Sequence, residues 1–115
     1  MMEKPTEAAL AAFDDVFPAE EEAAVRKKMF GMPAGFVHGN MFLGVFGNGV
    51  VFRLPPARQV ELGERHDTLD AFAPGGRRWK DYVRADASTD DALLRDWARE
   101  ALAHTATLPP KAKKK

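Results

Sequence analysis

Residues 36–54 read FVHGNMFLGVFGNGVVFRL, and this stretch decides the fold. Its apolar runs are separated by short glycine- and asparagine-containing segments, a pattern typical of consecutive β-hairpins. Gly39-Asn40 fits a two-residue turn with glycine in the first position. Gly47-Asn48-Gly49 fits a three-residue loop whose last glycine has a positive φ. The stretch therefore predicts a three-stranded antiparallel meander.

Both faces of this meander are predicted to be apolar. With these turns, alternation assigns one face the side chains of Phe42, Gly44, Phe46, Val50, Phe52 and Leu54. The second face is assigned Phe36, Met41, Leu43, Val45 and Val51, with only His38 and Arg53 polar. An exposed apolar patch of this size is unusual on a monomer. This second face can be covered by a helix, by a later segment that folds back, or by a second copy of the protein. We expect a dimer to bury part of it.

Helices are predicted on both sides of the meander. Apolar residues at three- and four-residue spacing predict an amphipathic helix over residues 7–17. A second, short helix over residues 57–62 is predicted to end at Gly63. A third helix, capped by Ser88, carries a double apolar stripe and is predicted to end before Pro109.

The remaining segments extend the sheet. A first strand is predicted within residues 25–30, and residues 69–73 and 79–85 read as a further hairpin around a Pro-Gly-Gly turn. The predicted architecture is a two-layer α+β fold, an antiparallel sheet of about five strands packed by N- and C-terminal helices. We expect one domain over residues 1–110 and a disordered, lysine-rich tail over residues 111–115.

Composition excludes several classes of function. The chain has 17 lysine and arginine residues and 17 aspartate and glutamate residues, so its formal net charge is zero. No overall electrostatic field therefore draws it to nucleic acid or to an anionic membrane. The absence of cysteine excludes disulfides, thiolate metal sites and a cysteine nucleophile, and it fits a reducing cytoplasm. The chain contains no apolar run near the roughly 20 residues of a membrane span. We therefore expect a cytoplasmic protein with no membrane partner.

Several short segments together resemble one known family. They are RKKMFG at 26–31, GNMF at 39–42, RL at 53–54, GRRWK at 76–80 and LPPK at 108–111. In this order and spacing they resemble the N-terminal domain of the TfoX/Sxy family. The resemblance implies a two-layer α/β domain related to regulators of bacterial competence, with no catalytic residues to carry over. Full-length regulators of this family also carry a C-terminal domain, and we expect this chain to be a stand-alone N-terminal domain.

Residues with catalytic potential do not form a recognisable catalytic pattern. The histidines fall on a strand, a loop and a late helical turn, too far apart in sequence for a paired metal motif: His38, His66 and His104. The only serine, Ser88, is explained as a helix cap. The adjacent carboxylates at 14–15 and 20–22 are typical of solvated helix ends. Glu64, His66 and Asp67 are typical of a solvated polar turn. We expect no enzyme activity, no cofactor and no metal.

Two surfaces are candidates for partner binding. One is the apolar second face of the meander, where Leu43 and Val45 would contact a protein partner or a second copy of the chain. The second consists of Arg77, Arg78, Trp79 and Lys80, in which cations flank an aromatic ring. This segment could anchor a protein or stack on a nucleic-acid base, or it could simply enter a strand with Trp79 in the core. The favoured hypothesis is a non-catalytic regulatory or adaptor domain that binds protein, and the alternative is a nucleic-acid-binding accessory domain.

Overall fold

The computed structural model of the chain describes residues 4–29 and 31–110. The strands are β1 (Val25–Met29), β2 (Met32–Val37), β3 (Asn40–Phe46), β4 (Gly49–Arg53), β5 (Leu69–Ala71) and β6 (Tyr82–Asp86). The helices are α1 (Glu7–Val16), α2 (Pro56–Arg65) and α3 (Asp91–Ala106). The strands form one six-stranded antiparallel sheet in the order β1-β2-β3-β4-β6-β5. The predicted two-layer α+β fold is confirmed; the predicted lysine-rich tail lies outside the described residues.

The first tight turn lies one residue earlier than predicted. Val37 pairs with Asn40, so the two turn residues are His38 and Gly39. Their φ angles are 53° and 83°, as a type I′ hairpin turn requires. A positive φ is uncommon outside glycine, but histidine is among the residues that adopt it most readily, so His38 can occupy the first turn position.

The second tight turn contains two residues and not three. Phe46 pairs with Gly49, which leaves Gly47 and Asn48 as the turn. Gly47 has a φ of 57°, whereas Gly49 is the first residue of β4. The predicted three-residue loop was therefore wrong, and the register of β3 against β4 differs by one residue from the predicted one.

This register moves two predicted surface residues into the core. Leu43 lies opposite Phe52 and Val45 opposite Val50, on the sheet face that the helices cover. Leu43 is 0% exposed and Val45 is 5% exposed. Their predicted placement on the second face was wrong, because a slip of one residue transfers every side chain of a strand to the opposite face. Neither side chain offers a surface to a partner.

The core lies between the sheet and helices α1 and α3. Its aromatic members pack at defined angles: Phe52 meets Trp97 edge-to-face at 6.2 Å, and Phe13 stacks with Phe17 at 5.8 Å between ring centroids. Arg58 of α2 forms a bidentate ion pair with Glu100 of α3 at 2.7 and 3.1 Å. These contacts bury the central strands on one face of the sheet, whereas Val25 on the edge strand β1 stays 44% exposed, and they leave the second face to be covered by other means.

Two predicted helix boundaries were wrong. Helix α2 continues through Gly63 to Arg65, because Gly63 is tolerated as an interior helical residue in open space. Helix α3 is capped by Asp90, whose carboxylate accepts a hydrogen bond from the Ala92 N–H at 3.1 Å. Ser88 lies before this cap. Across residues 4–29 and 31–110, none of the helices is both long and apolar enough to cross a membrane.

Candidate binding cleft on the second sheet face

A segment of the chain itself covers part of the second sheet face. Residues 72–81, which we call the covering loop, connect β5 to β6. Phe72 in this loop is 3% exposed and packs with Phe46 and Val51. Gly75 and Gly76 adopt φ angles of 66° and 83°, which permit the tight bend. The sequence left three covers open for this face: a helix, a later segment that folds back, or a second copy of the protein. The structure shows that a later segment, the covering loop, covers part of it.

The covering loop also removes the reason for expecting a dimer. The apolar residues at the centre of the second face are already buried within a single chain: Met41, Phe46 and Val51. Burying them again against a second copy would yield little further hydrophobic stabilisation.

Hydrogen bonds fix the covering loop to the body of the domain. The Trp79 N–H donates to the Phe72 carbonyl at 2.9 Å. The side-chain amide of the buried Gln59 donates to the carbonyls of Leu54 and Lys80, each at 2.8 Å. The Trp79 bond closes the loop on itself, whereas the Gln59 bond to Lys80 and a bond from the Leu54 N–H to the Asp81 carbonyl at 3.0 Å tie its C-terminal end to the body of the domain.

A cleft of about 390 Å³ lies beside the covering loop. We call it the aromatic cleft, and its lining residues are Phe36, Gly39, Asn40, Met41, Arg53, Trp79 and Tyr82. Phe36, Trp79 and Tyr82 are each half-buried, so parts of their rings remain at the surface. Trp79 and Tyr82 meet edge-to-face with ring centroids 5.7 Å apart. The cleft thus combines aromatic walls with a single cationic side chain.

That cation, Arg53, has few and long contacts. Its guanidinium carbon lies 5.4 Å from the centre of the Tyr82 ring. Its Nη1 is 3.4 Å from the Tyr82 hydroxyl oxygen, and its Nη2 is 3.5 Å from the Asp81 carboxylate. The buried Nε has no hydrogen-bond partner in the described part of the chain. Arg53 therefore retains hydrogen-bonding capacity that its neighbours do not satisfy.

Tyr82 connects this cation to the sheet. Its hydroxyl donates a hydrogen bond to the Met41 carbonyl at 3.0 Å, and its ring pairs across the strands with Arg53. Burial raises the pKa of Tyr82, and this effect outweighs the opposing influence of the nearby Arg53 charge. The neutral phenol is thus the form that the folded cleft favours.

Tyr82 is expected to ionise at a higher pH in the folded protein than in the unfolded chain, where the pKa is near 10.0. Its contribution to stability is then complete below the unfolded pKa and is lost as pH rises through the folded pKa. Because the chain has one tyrosine, phenolate absorbance reports this group alone. A titration in buffer and in urea measures both pKa values, and coincident midpoints would contradict the burial of the phenol.

The predicted Arg77–Lys80 segment belongs to the covering loop and not to a strand. Strand β6 begins at Tyr82, after this segment, because the hydrogen bonds of residues 72–80 fold the chain back on itself. Trp79 is half-buried and meets Phe72 edge-to-face at 5.1 Å. The cationic side chains on either side of it, Arg77, Arg78 and Lys80, point into solvent. None of them forms an ion pair with another described residue.

Three of the five adjacent carboxylates at 14–15 and 20–22 form ion pairs. Asp14 contacts Arg26 at 2.5 Å, and Asp15 contacts Arg95 at 2.8 Å. Glu20 similarly contacts an arginine of α3 at 2.6 Å. These groups tie α1 and the following loop to the sheet and to α3.

The remaining polar candidates are not brought together into a metal site. His66 packs edge-on against Trp97 with ring centroids 5.2 Å apart. The Ser88 hydroxyl donates to the Asp86 carboxylate at 2.5 Å, and this bond is the main reason that the pKa of Asp86 is lowered. Among the residues that the structure describes, no group of three histidine, aspartate or glutamate side chains could hold a metal ion.

Comparison with known proteins places the chain in a family. A family model described as the TfoX N-terminal domain matches residues 19–105, from just after α1 to the last turn of α3. No curated protein and no solved structure matches the chain. The match includes every strand of the sheet and the whole covering loop. It confirms the resemblance seen in the sequence, and the chain belongs to the TfoX N-terminal domain family.

Proposed function

We propose that this protein is a non-catalytic regulatory or adaptor domain that binds another protein through the aromatic cleft. The observation that carries the proposal is the half-buried ring set of Phe36, Trp79 and Tyr82 around Arg53. Aromatic and arginine side chains contribute most of the binding energy at protein interfaces. A role in competence regulation, in the cytoplasm, is part of the same proposal and is supported by family membership.

The rigidity of the cleft supports binding. Gln59 and Trp79 hydrogen bonds fix the covering loop, and Tyr82 is fixed by its bond to the Met41 carbonyl. Side chains that are already ordered lose little conformational entropy when a partner docks. The opposite face of the sheet is occupied by α1 and α3, so the cleft face is the one that retains exposed aromatic surface.

Photo-crosslinking in the native host tests this proposal. A photoreactive phenylalanine analogue replaces Phe36 at the cleft, and in a matched control it replaces Val60, which is 61% exposed on α2. We expect a discrete protein adduct from position 36 that position 60 does not give. An adduct of the chain with itself would identify a second copy as the partner. The same adducts from both positions would contradict a partner site at the cleft.

A nucleic-acid-binding accessory domain is the second candidate. The observation that favours it is the group of solvent-facing cations beside Trp79, which have no ion-pair partner among the described residues: Arg77, Arg78 and Lys80. Cations next to an aromatic ring suit a single-stranded backbone and its bases. The formal net charge of zero argues against a dominant role for this binding. Crosslinking of position 36 to nucleic acid and not to protein would support it.

A further inference from the structure

We infer that the aromatic cleft recognises a carboxylate of the partner, presented as an aspartate or glutamate side chain next to an aromatic one, with Arg53 as the receiving group. This inference rests on the proposed function, because it names the chemistry of the segment that would dock in the same cleft.

Arg53 differs from the bidentate arginines of the domain because its contacts are long. Arg58 holds Glu100 with two bonds of 2.7 and 3.1 Å. Arg84 holds Asp70 with two bonds of 3.2 Å and also donates to a carbonyl. Arg53 has contacts of 3.4 and 3.5 Å and an Nε without a partner in the described part of the chain. The buried Nε lies out of a partner's reach, so the two Nη groups, which make only these long contacts, are the donors that a docking carboxylate would engage. A carboxylate fits such a planar pair of donors well.

The position of the Arg53 charge is fixed before any partner arrives. Arg53 lies on the interior strand β4, directly opposite Tyr82 of β6, and its guanidinium packs over the Tyr82 ring. The Tyr82 hydroxyl is bonded in turn to the Met41 carbonyl. A charge held by a sheet in this way does not need to reorganise when it binds an anion.

Asp81 indicates what kind of anion the site accepts. Its carboxylate approaches Arg53 at 3.5 Å, although 56% of its side chain is exposed on the covering loop. It is therefore a loosely held internal carboxylate that a better-placed one can replace. The same negative charge opposes a polyanionic backbone more than a single carboxylate, which favours a peptide over nucleic acid.

The rest of the cleft suits the remainder of an acidic, aromatic segment. Phe36 and Trp79 offer partly exposed rings on which a neighbouring aromatic side chain can pack. Lys27 lies with its Nζ 5.8 Å from the centre of the Phe36 ring, and Lys80 is exposed on the covering loop. These cations at the edge of the cleft would attract an acidic segment and orient its approach.

Fluorescence anisotropy with a matched peptide pair tests the inference. The probe is a labelled, capped peptide Gly-Phe-Asp-Phe-Gly, and its control has Asn in place of Asp. We expect the Asp peptide to bind the wild-type protein about tenfold more tightly than the Asn peptide. Arg53→Gln should abolish this preference. Arg95→Gln, at an exposed arginine on α3, is the matched control and should preserve it.

Asp81→Asn provides an independent measurement that does not depend on the folding of the Arg53 variant. Removing the internal carboxylate should tighten binding of the Asp peptide about threefold, because Arg53 no longer has a competing partner. A purely structural role for the Arg53–Asp81 contact would leave the peptide affinity unchanged. Circular dichroism of each variant establishes that it is folded.

The possible outcomes separate this inference from the proposed function. Equal binding of the two peptides would overturn carboxylate recognition and leave the cleft as a protein-binding site. Binding of neither peptide would overturn the inference, and crosslinking from position 36 would then decide the proposed function by itself. Displacement of the bound Asp peptide by a thymidine oligonucleotide, lost in the Arg53→Gln variant, would overturn the inference in favour of nucleic acid.

Discussion

Phe72→Ala is expected to lower the free energy of unfolding by about 3–5 kcal/mol, as is typical of a buried aromatic residue cut back to a methyl group. Phe72 packs edge-to-face with Phe46 at 5.2 Å and with Trp79 at 5.1 Å, and it lies beside Val51. Its removal would leave a cavity at the centre of the cover on the second face. Urea denaturation of wild-type and variant protein measures the loss.

Phe36→Ala is the matched control on the same face. Phe36 is half-buried at the edge of the cleft, so its truncation should cost only about 1 kcal/mol. A dye that binds apolar surface should respond to Phe72→Ala and hardly at all to Phe36→Ala. If a second copy of the chain covered this face instead, Phe72→Ala would cost little and wild-type stability would rise with protein concentration. Either result would contradict the role of the covering loop.

Fold class could be predicted from the sequence because it depends on local signals. The alternating apolar runs in residues 36–54 and the glycine-rich turns between them determine a meander almost independently of the rest of the chain. The register could not be predicted in the same way. The Gly47-Asn48-Gly49 triplet accommodates either a two-residue or a three-residue loop, and only pairing of Gly49 with both Phe46 and Asp86 decides between them.

The candidate site could be predicted only in fragments. Arg53 was not among the predicted binding residues, although its position as one of two polar residues on an otherwise apolar face was a signal that could have pointed to it. Its partner Tyr82 lies 29 residues further along the chain, beyond α2 and β5. No local pattern shows that β6 returns to pair with β4, so the pairing of these two side chains depends on tertiary structure alone. Trp79 could be predicted as either a core or a binding residue, and its half-buried ring has features of both.

Gly49→Ala is expected to lower the free energy of unfolding by about 1–3 kcal/mol, the usual cost of inserting atoms into filled space. A Cβ at this position would lie 2.7 Å from Cγ of Arg84 and 2.9 Å from the carbonyl oxygen of Ala85. The Arg84 side chain is held by its ion pair with Asp70, and the carbonyl is part of β6. The Arg84 side chain cannot shift without loosening that ion pair, and the Ala85 carbonyl cannot shift without disturbing the pairing of β6 with β4. Thermal and urea unfolding measure the effect.

Gly44→Ala on the adjacent strand is the matched control, because both glycines lie in extended strand segments. A Cβ at Gly44 would lie 3.6 Å from the Met41 sulfur and 4.0 Å from the Val51 Cβ, which are ordinary contacts. Alanine restricts the unfolded chain more than glycine, so this variant should be neutral or more stable by about 0.5–1 kcal/mol. If Gly49→Ala proved as harmless as Gly44→Ala, Gly49 could not lie against β6. The β4–β6 pairing that places Arg53 opposite Tyr82 would then be wrong, and the aromatic cleft would lose its cation.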